Sequence, residues 1–87
     1  MTVNKKFTIY RADICNKCDA TKRAMDKHGL EYEVLRAEDH PDVVEEVRAE
    51  IGSVVAPIVI APDGSFWTDY RPDMVKLWSK SLHLLDD

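Results

Sequence analysis

Ile14-Cys15-Asn16-Lys17-Cys18 holds both cysteines of this 87-residue chain, two residues apart. An apolar run, Phe7-Thr8-Ile9-Tyr10, precedes it, and a helix-favouring stretch begins near Asn16. A strand, then C-x-x-C, then a helix is the layout of a thiol–disulfide redox site. A strand that ends at a helix N-terminus sets Cys15 beside unpaired backbone N–H groups and the positive end of the helix dipole. Both favour the thiolate, the form that attacks a disulfide. Cys18, almost one turn on, is near and more buried. The reading assigns Cys15 as attacking nucleophile and Cys18 as the resolving thiol that releases the reduced product.

Other uses of two cysteines fare worse. A zinc site needs four ligands, and the candidates left are His28, His40 and His83, whose spacing fits no usual zinc pattern, so no metal is expected. His28 is expected to pack at a helix end, and His40 and His83 to face solvent. The N-terminal residues Met1 to Lys6 lack the apolar run of a secretory signal, and no window reaches membrane-span length. A cytoplasmic protein without a membrane partner is expected, and there a lone structural disulfide is disfavoured. The net charge of −4 argues against nucleic acid. Gly29, Gly52 and Gly64 stand apart and form no phosphate-binding loop, so no bound cofactor is implied.

Outward from the cysteines, the chain reads as one domain over residues 1–87, with 45% hydrophobic and 32% charged residues. Lys6 to Arg11 reads as a strand and Asn16 to His28 as a helix with Thr21, Ala24, Met25 and His28 inward; Gly29 stops it. Glu31 to Leu35 alternates as a second strand, completing a parallel βαβ unit. Pro41 opens a helix whose Val43, Val44, Val47 and Ile51 share one face; Asp39 or His40 caps it and Gly52 ends it. Ile58-Val59-Ile60-Ala61 reads as a central strand. Pro62-Asp63-Gly64 turns the chain into a hairpin partner, Ser65 to Thr68. Pro72-Asp73 starts the last helix, with Met74, Val75, Trp78, Leu82 and Leu85 as its apolar stripe and Asp86-Asp87 as a frayed tail. The order is βαβ-ββα: an α/β fold with one four-stranded mixed sheet and three helices on its faces. Ala56-Pro57 admits two readings. Pro57 is either a strand-start proline or a cis proline facing the cysteines, with the Ala56 backbone free to pair with an extended substrate.

With these features in place the chain resembles the NrdH-redoxin family, a glutaredoxin-like branch of the thioredoxin superfamily, from about Phe7 to Leu82. The resemblance rests on Cys15-x-x-Cys18-Asp19-Ala20-Thr21, on Ala56-Pro57-Ile58-Val59, and on Trp67-Thr68-Asp69-Tyr70-Arg71-Pro72-Asp73, which is similar to the family's Trp-Ser-Gly-Phe-Arg-Pro-Asp segment. It implies a thioredoxin/glutaredoxin-like fold with a cis proline at Pro57. It also implies a small dithiol electron carrier that donates to the large subunit of class Ib ribonucleotide reductase. Recharging is by thioredoxin reductase, so NADPH acts only indirectly, through a flavin enzyme. A monomer suits a carrier that meets two partners in turn. Ala56, Pro57, Trp67, Tyr70 and Arg71 are the candidate partner-binding residues, with core-covering and loop-tying as the structural alternatives for Trp67 and Arg71.

The chain departs from the family in three places. Ala12-Asp13 stands where a Lys-Pro is usual, so Asp13 opposes the thiolate while Arg11 or Lys17 compensates. The pair between the cysteines, Asn16-Lys17, is polar. Asp69 replaces the family's glycine. Two other functions remain in view. A glutathione-dependent glutaredoxin is one; its Gly-Gly-x-Asp segment is replaced here by Arg71-Pro72-Asp73, where Pro72 offers no N–H and Asp73 adds negative charge. A non-catalytic redox-sensing binding module is the other, favoured by Asp13 beside Cys15.

Overall fold

The computed structural model describes residues 6–86, and the side chains of 6–82. The strands are β1 (Phe7–Arg11), β2 (Tyr32–Arg36), β3 (Ile58–Ile60) and β4 (Phe66–Thr68). The α-helices are α1 (Asn16–Lys27), α2 (Pro41–Ile51) and α3 (Pro72–Asp86), with a 3-10 turn at Ala37–Asp39 that the sequence reading had not foreseen. The sheet order is β2-β1-β3-β4. β1 and β2 run parallel, and β3 is antiparallel to both β1 and β4. This is the expected mixed sheet with β3 in its interior.

Strand alternation assigns the two faces. The registers set Ile9 opposite Val59 and Val59 opposite Trp67, a row across three strands. Phe7, Ala61 and that row form the core with Met25 of α1, Leu30 just beyond it, and Val75 and Leu82 of α3. Phe7 sits edge-on to both Trp67 and Trp78, ring centroids 6.2 and 5.5 Å away. On α1, Cys18, Thr21 and Met25 are the buried positions, one turn apart. The other face carries Tyr10, Ile60 and Phe66, which with Val43 and Val47 line a cleft of about 360 Å3 under α2.

Three expectations are corrected. α2 buries Val47 alone; Val43 and Val44 are half-buried, and Ile51 is exposed. His40 is the N-cap residue of α2 but makes no side-chain cap bond, and its ring packs against the edge of Tyr10 at 5.2 Å rather than facing solvent. His28, half-buried, is the C-cap residue of α1, at the helix end where it was expected. The last helix runs through Asp86 where a frayed tail was expected. Asp87 and the side chains of His83 and Leu85 lie outside the described residues.

Candidate active site

Register decides where the chemistry sits. Tyr10 of β1 pairs with Ile58 of β3, and Ile58 pairs with Thr68 of β4. The end of β1, the start of β3 and the end of β4 therefore meet at one edge of the sheet. The segments just beyond them, Arg11 to Cys15, Val55 to Pro57 and Asp69 to Arg71, converge there. A backbone bridge ties two of them: the Asp69 N–H donates to the carbonyls of Val55 (3.2 Å) and Pro57 (3.0 Å).

Cys15 and Cys18 form a disulfide with Cα atoms 5.2 Å apart. Cys15 is the N-cap of α1, in extended conformation, and its Sγ accepts the Cys18 backbone N–H at 3.1 Å. That N–H is one of the orphan donors every helix start leaves over, so the helix terminus itself is aimed at the sulfur. The two sulfurs differ in access: Cys15 is half-buried, whereas Cys18 is 0% exposed. The outer sulfur is reachable by a partner and the inner one only by its neighbour. Thr21 donates its hydroxyl to the Lys17 carbonyl (2.8 Å), tightening the turn that carries Cys18.

The Ala56–Pro57 bond is cis, the peptide geometry of the second reading, and Pro57 directly precedes β3. Pro57 is buried, Ala56 is half-buried, and Ala56 makes none of the loop hydrogen bonds among the described residues. The three tuning candidates are all ion-paired with other side chains. Asp13 is held by Arg36 at 3.1 Å, and Arg36 also grips Glu38. Arg11 reaches Asp19 (3.6 Å) and its own neighbour's carbonyl, that of Ala12 (3.1 Å). Lys17 bridges to Asp69 at 2.9 Å.

That last pair joins two departures noted separately above. A lysine inside the cysteine motif and an acid at a glycine position are complementary, and opposite charge was the signal available to link them. Asp69 has φ 72°, left-handed backbone that glycine ordinarily occupies. Its carboxylate also accepts the Tyr70 N–H at 2.7 Å. Lys17 first, then the Tyr70 amide, hold the Asp69 carboxyl below its ordinary range. Arg71 clasps Asp73 with two bonds (3.1 and 2.8 Å), which lowers the Asp73 carboxyl and fixes the start of α3.

Of the residues proposed to meet a partner, Tyr70 is 40% exposed, while Trp67 is 5% exposed and lies in the core. The Trp67 Nε1 has no hydrogen-bond partner there. Two residues that were not among the candidate site residues join the rim: Ile14, 95% exposed beside Cys15, and Val55, 40% exposed on the cis-proline loop. An apolar side chain with no helical or strand-facing neighbour, as Ile14 is, was the available sign. Among the described residues no three His, Cys, Asp or Glu side chains gather to hold a metal ion, and no helix is long and apolar enough to cross a membrane.

Known proteins share these features. The glutaredoxin family model matches residues 7–67. The glutaredoxin-like protein NrdH of Escherichia coli K12 is 41% identical over 70 residues, spanning 80% of this chain and 84% of that protein. The NrdH of Salmonella typhimurium is 43% identical over 69 residues, 79% of this chain and 83% of its own. The solved NrdH-redoxin of E. coli, described by a thioredoxin-like activity profile, superimposes with a TM-score of 0.70 at 39% identity, covering 83% of this chain and 92% of that one. A dithiol at disulfide distance, capping a helix on a thioredoxin-like sheet, places this chain among the NrdH-type glutaredoxin-like proteins, which are thiol–disulfide oxidoreductases.

Proposed function

We propose that residues 1–87 act as a single electron-carrying domain that reduces a disulfide on the large subunit of class Ib ribonucleotide reductase and is itself re-reduced by thioredoxin reductase in the cytoplasm. The Cys15 thiolate attacks one sulfur of the target disulfide. A mixed disulfide forms, and the departing target sulfur takes a proton. Cys18 then gives up its proton and attacks the Cys15 sulfur, releasing the second target thiol. Two electrons pass to the target with one proton from Cys18 and one from solvent, which took it when Cys15 ionised, and the Cys15–Cys18 disulfide remains. NADPH supplies the electrons through the flavin of the reductase, so the carrier binds no cofactor of its own.

The observation that carries this reading against a glutathione-dependent one is the start of α3. Pro72 lacks an N–H, and Asp73, clasped by Arg71, adds negative charge to the helix start where a glutathione carboxylate would seek donors. The thioredoxin-like profile of the E. coli NrdH-redoxin points the same way. Asp13, the best argument for a non-catalytic module, has its charge offset by Arg36. Ile14, Val55, Ala56, Pro57 and Tyr70 form the contact surface for the partner, with Arg71 and Trp67 supporting it from the loop and the core. Arg11 and Lys17 act on the thiolate only as nearby charge; the α1 terminus is the main stabiliser.

The test is coupled reduction of a disulfide dye. Thioredoxin reductase with NADPH is expected to drive it through this protein. Reduction by glutathione with glutathione reductase, and none with thioredoxin reductase, would overturn the assignment.

A further inference from the structure

A second feature lies beside the redox pair. A cleft of about 290 Å3 opens between α1 and the start of α3, lined by Arg23, Ala24, Lys27 and His28 on one wall and by Tyr70 and Pro72 on the other. In a chain of net charge −4 it is distinctly cationic. Four of the described arginines, Arg11, Arg36, Arg48 and Arg71, each hold a carboxylate. Among the described residues Arg23 holds none, and neither does Lys27. No described acid lines the cleft; of the acids on α1 and at the start of α3, Asp19 is ion-paired with Arg11 and Lys22, Asp69 with Lys17 and Asp73 with Arg71, and Asp26 accepts the Tyr32 hydroxyl at 2.9 Å. Two cations with no ion pair among the described residues therefore line one groove together with Ala20, Ala24 and the Tyr70 ring.

The groove also has a direction. Its Tyr70 end adjoins Asp69, which is bonded to Lys17 between the cysteines. From Cys18, α1 rises about 7 Å to Arg23 and about 14 Å to Lys27. An extended chain covers those distances in about two and four residues. We propose that this cleft is a docking groove for an acidic stretch of the disulfide-bearing partner, with carboxylates about two to four residues from the target cysteine. The groove selects among substrates of the thiol–disulfide exchange described above, and so rests on that reading. The exposed charges steer and hold the partner, and the dithiol performs the exchange.

The test is the single-turnover reaction of the reduced protein with synthetic peptides. Each peptide carries one cysteine capped by 2-mercaptoethanol as a mixed disulfide. Each event converts the two protein thiols to the disulfide, and the capped peptide to free peptide and 2-mercaptoethanol. Peptides with two glutamates placed two and four residues before or after the cysteine are compared with glutamine-matched controls. One acidic arrangement is expected to react about threefold or more faster at low ionic strength, with the advantage gone near about 0.5 M salt. The Arg23→Gln/Lys27→Gln variant is expected to lose that preference while reducing hydroxyethyl disulfide, which is uncharged, at the unaltered rate. Equal rates for acidic and neutral peptides, or a preference that survives in the variant, would overturn the groove and leave the oxidoreductase intact. Failure of the reduced protein to react even with hydroxyethyl disulfide would overturn both.

Discussion

The asymmetry between the two sulfurs sets the order of events. Cys15 is within a partner's reach and Cys18 is sealed beneath it. Cys18→Ser is therefore expected to accumulate a mixed disulfide through Cys15, and Cys15→Ser to form none; non-reducing gels with mass spectrometry read both. Trapping through Cys18 in the Cys15 variant would reverse the assignment. Lys17 makes a second, independent prediction. It is the largest cause of the lowered Asp69 carboxyl, so Lys17→Ala is expected to move that titration upward toward its ordinary value of 3.8, followed by carboxyl carbon NMR. Chemistry at single positions was the most legible part of the chain, because a cysteine pair and a proline announce themselves by type. Burial did not: Trp67 sits in a motif shared with relatives, yet its ring is core, fixed by the row it makes with Ile9 and Val59.

Among the elements, punctuation predicted boundaries well. Pro41 and Pro72 stand at helix starts, and Gly29 and Gly52 follow helix ends with positive φ. Gly52 shows what such a residue does. Its N–H donates to the Arg48 carbonyl at 2.8 Å, closing α2, and its φ is 82°. Nothing lies within 4 Å of where a Cβ would stand, so Gly52→Ala meets strain alone. The variant is expected to lose about 1–2 kcal/mol in urea unfolding, and Gly52→Asn less. Which face each helix covers was less legible. The apolar positions of α2 share a stripe, but a stripe states only that something covers it. The structure gives α2 the shallower face of the sheet, where Val47 alone is buried. The 3-10 turn at Ala37–Asp39 left no mark in composition, since a single turn has no period to detect.

Packing of all the parts rests on the α1–α3 side of the sheet. Met25, fully buried there, is expected to cost about 2–5 kcal/mol when replaced by alanine, lowering Tm by more than about 10 °C in calorimetry. Acid works on the surface instead. Ser65 holds the Asp63 carboxyl low by its hydroxyl and its amide, Lys17 does so for Asp69, and Arg71 for Asp73. The unfolded chain binds protons at these groups more readily. Their contribution is thus complete above the ordinary value of 3.8 and lost as pH falls through the lowered native values. Urea midpoints are expected to fall below about pH 4 by this linkage, and the Asp69→Asn variant to show a shallower fall. Overall topology was readable because strand, helix and turn signals agreed with one another. Side-chain partnerships across loops were not, since Lys17 and Asp69 are remote in sequence and meet only once the sheet edge is built.

The thin attachment of α2 has a further consequence. A helix with one buried side chain, over a cleft, is the segment that parts from its neighbours most cheaply. In deuterated solvent its amides will trade their protons early, by an opening that leaves α1, α3 and the paired sulfurs standing.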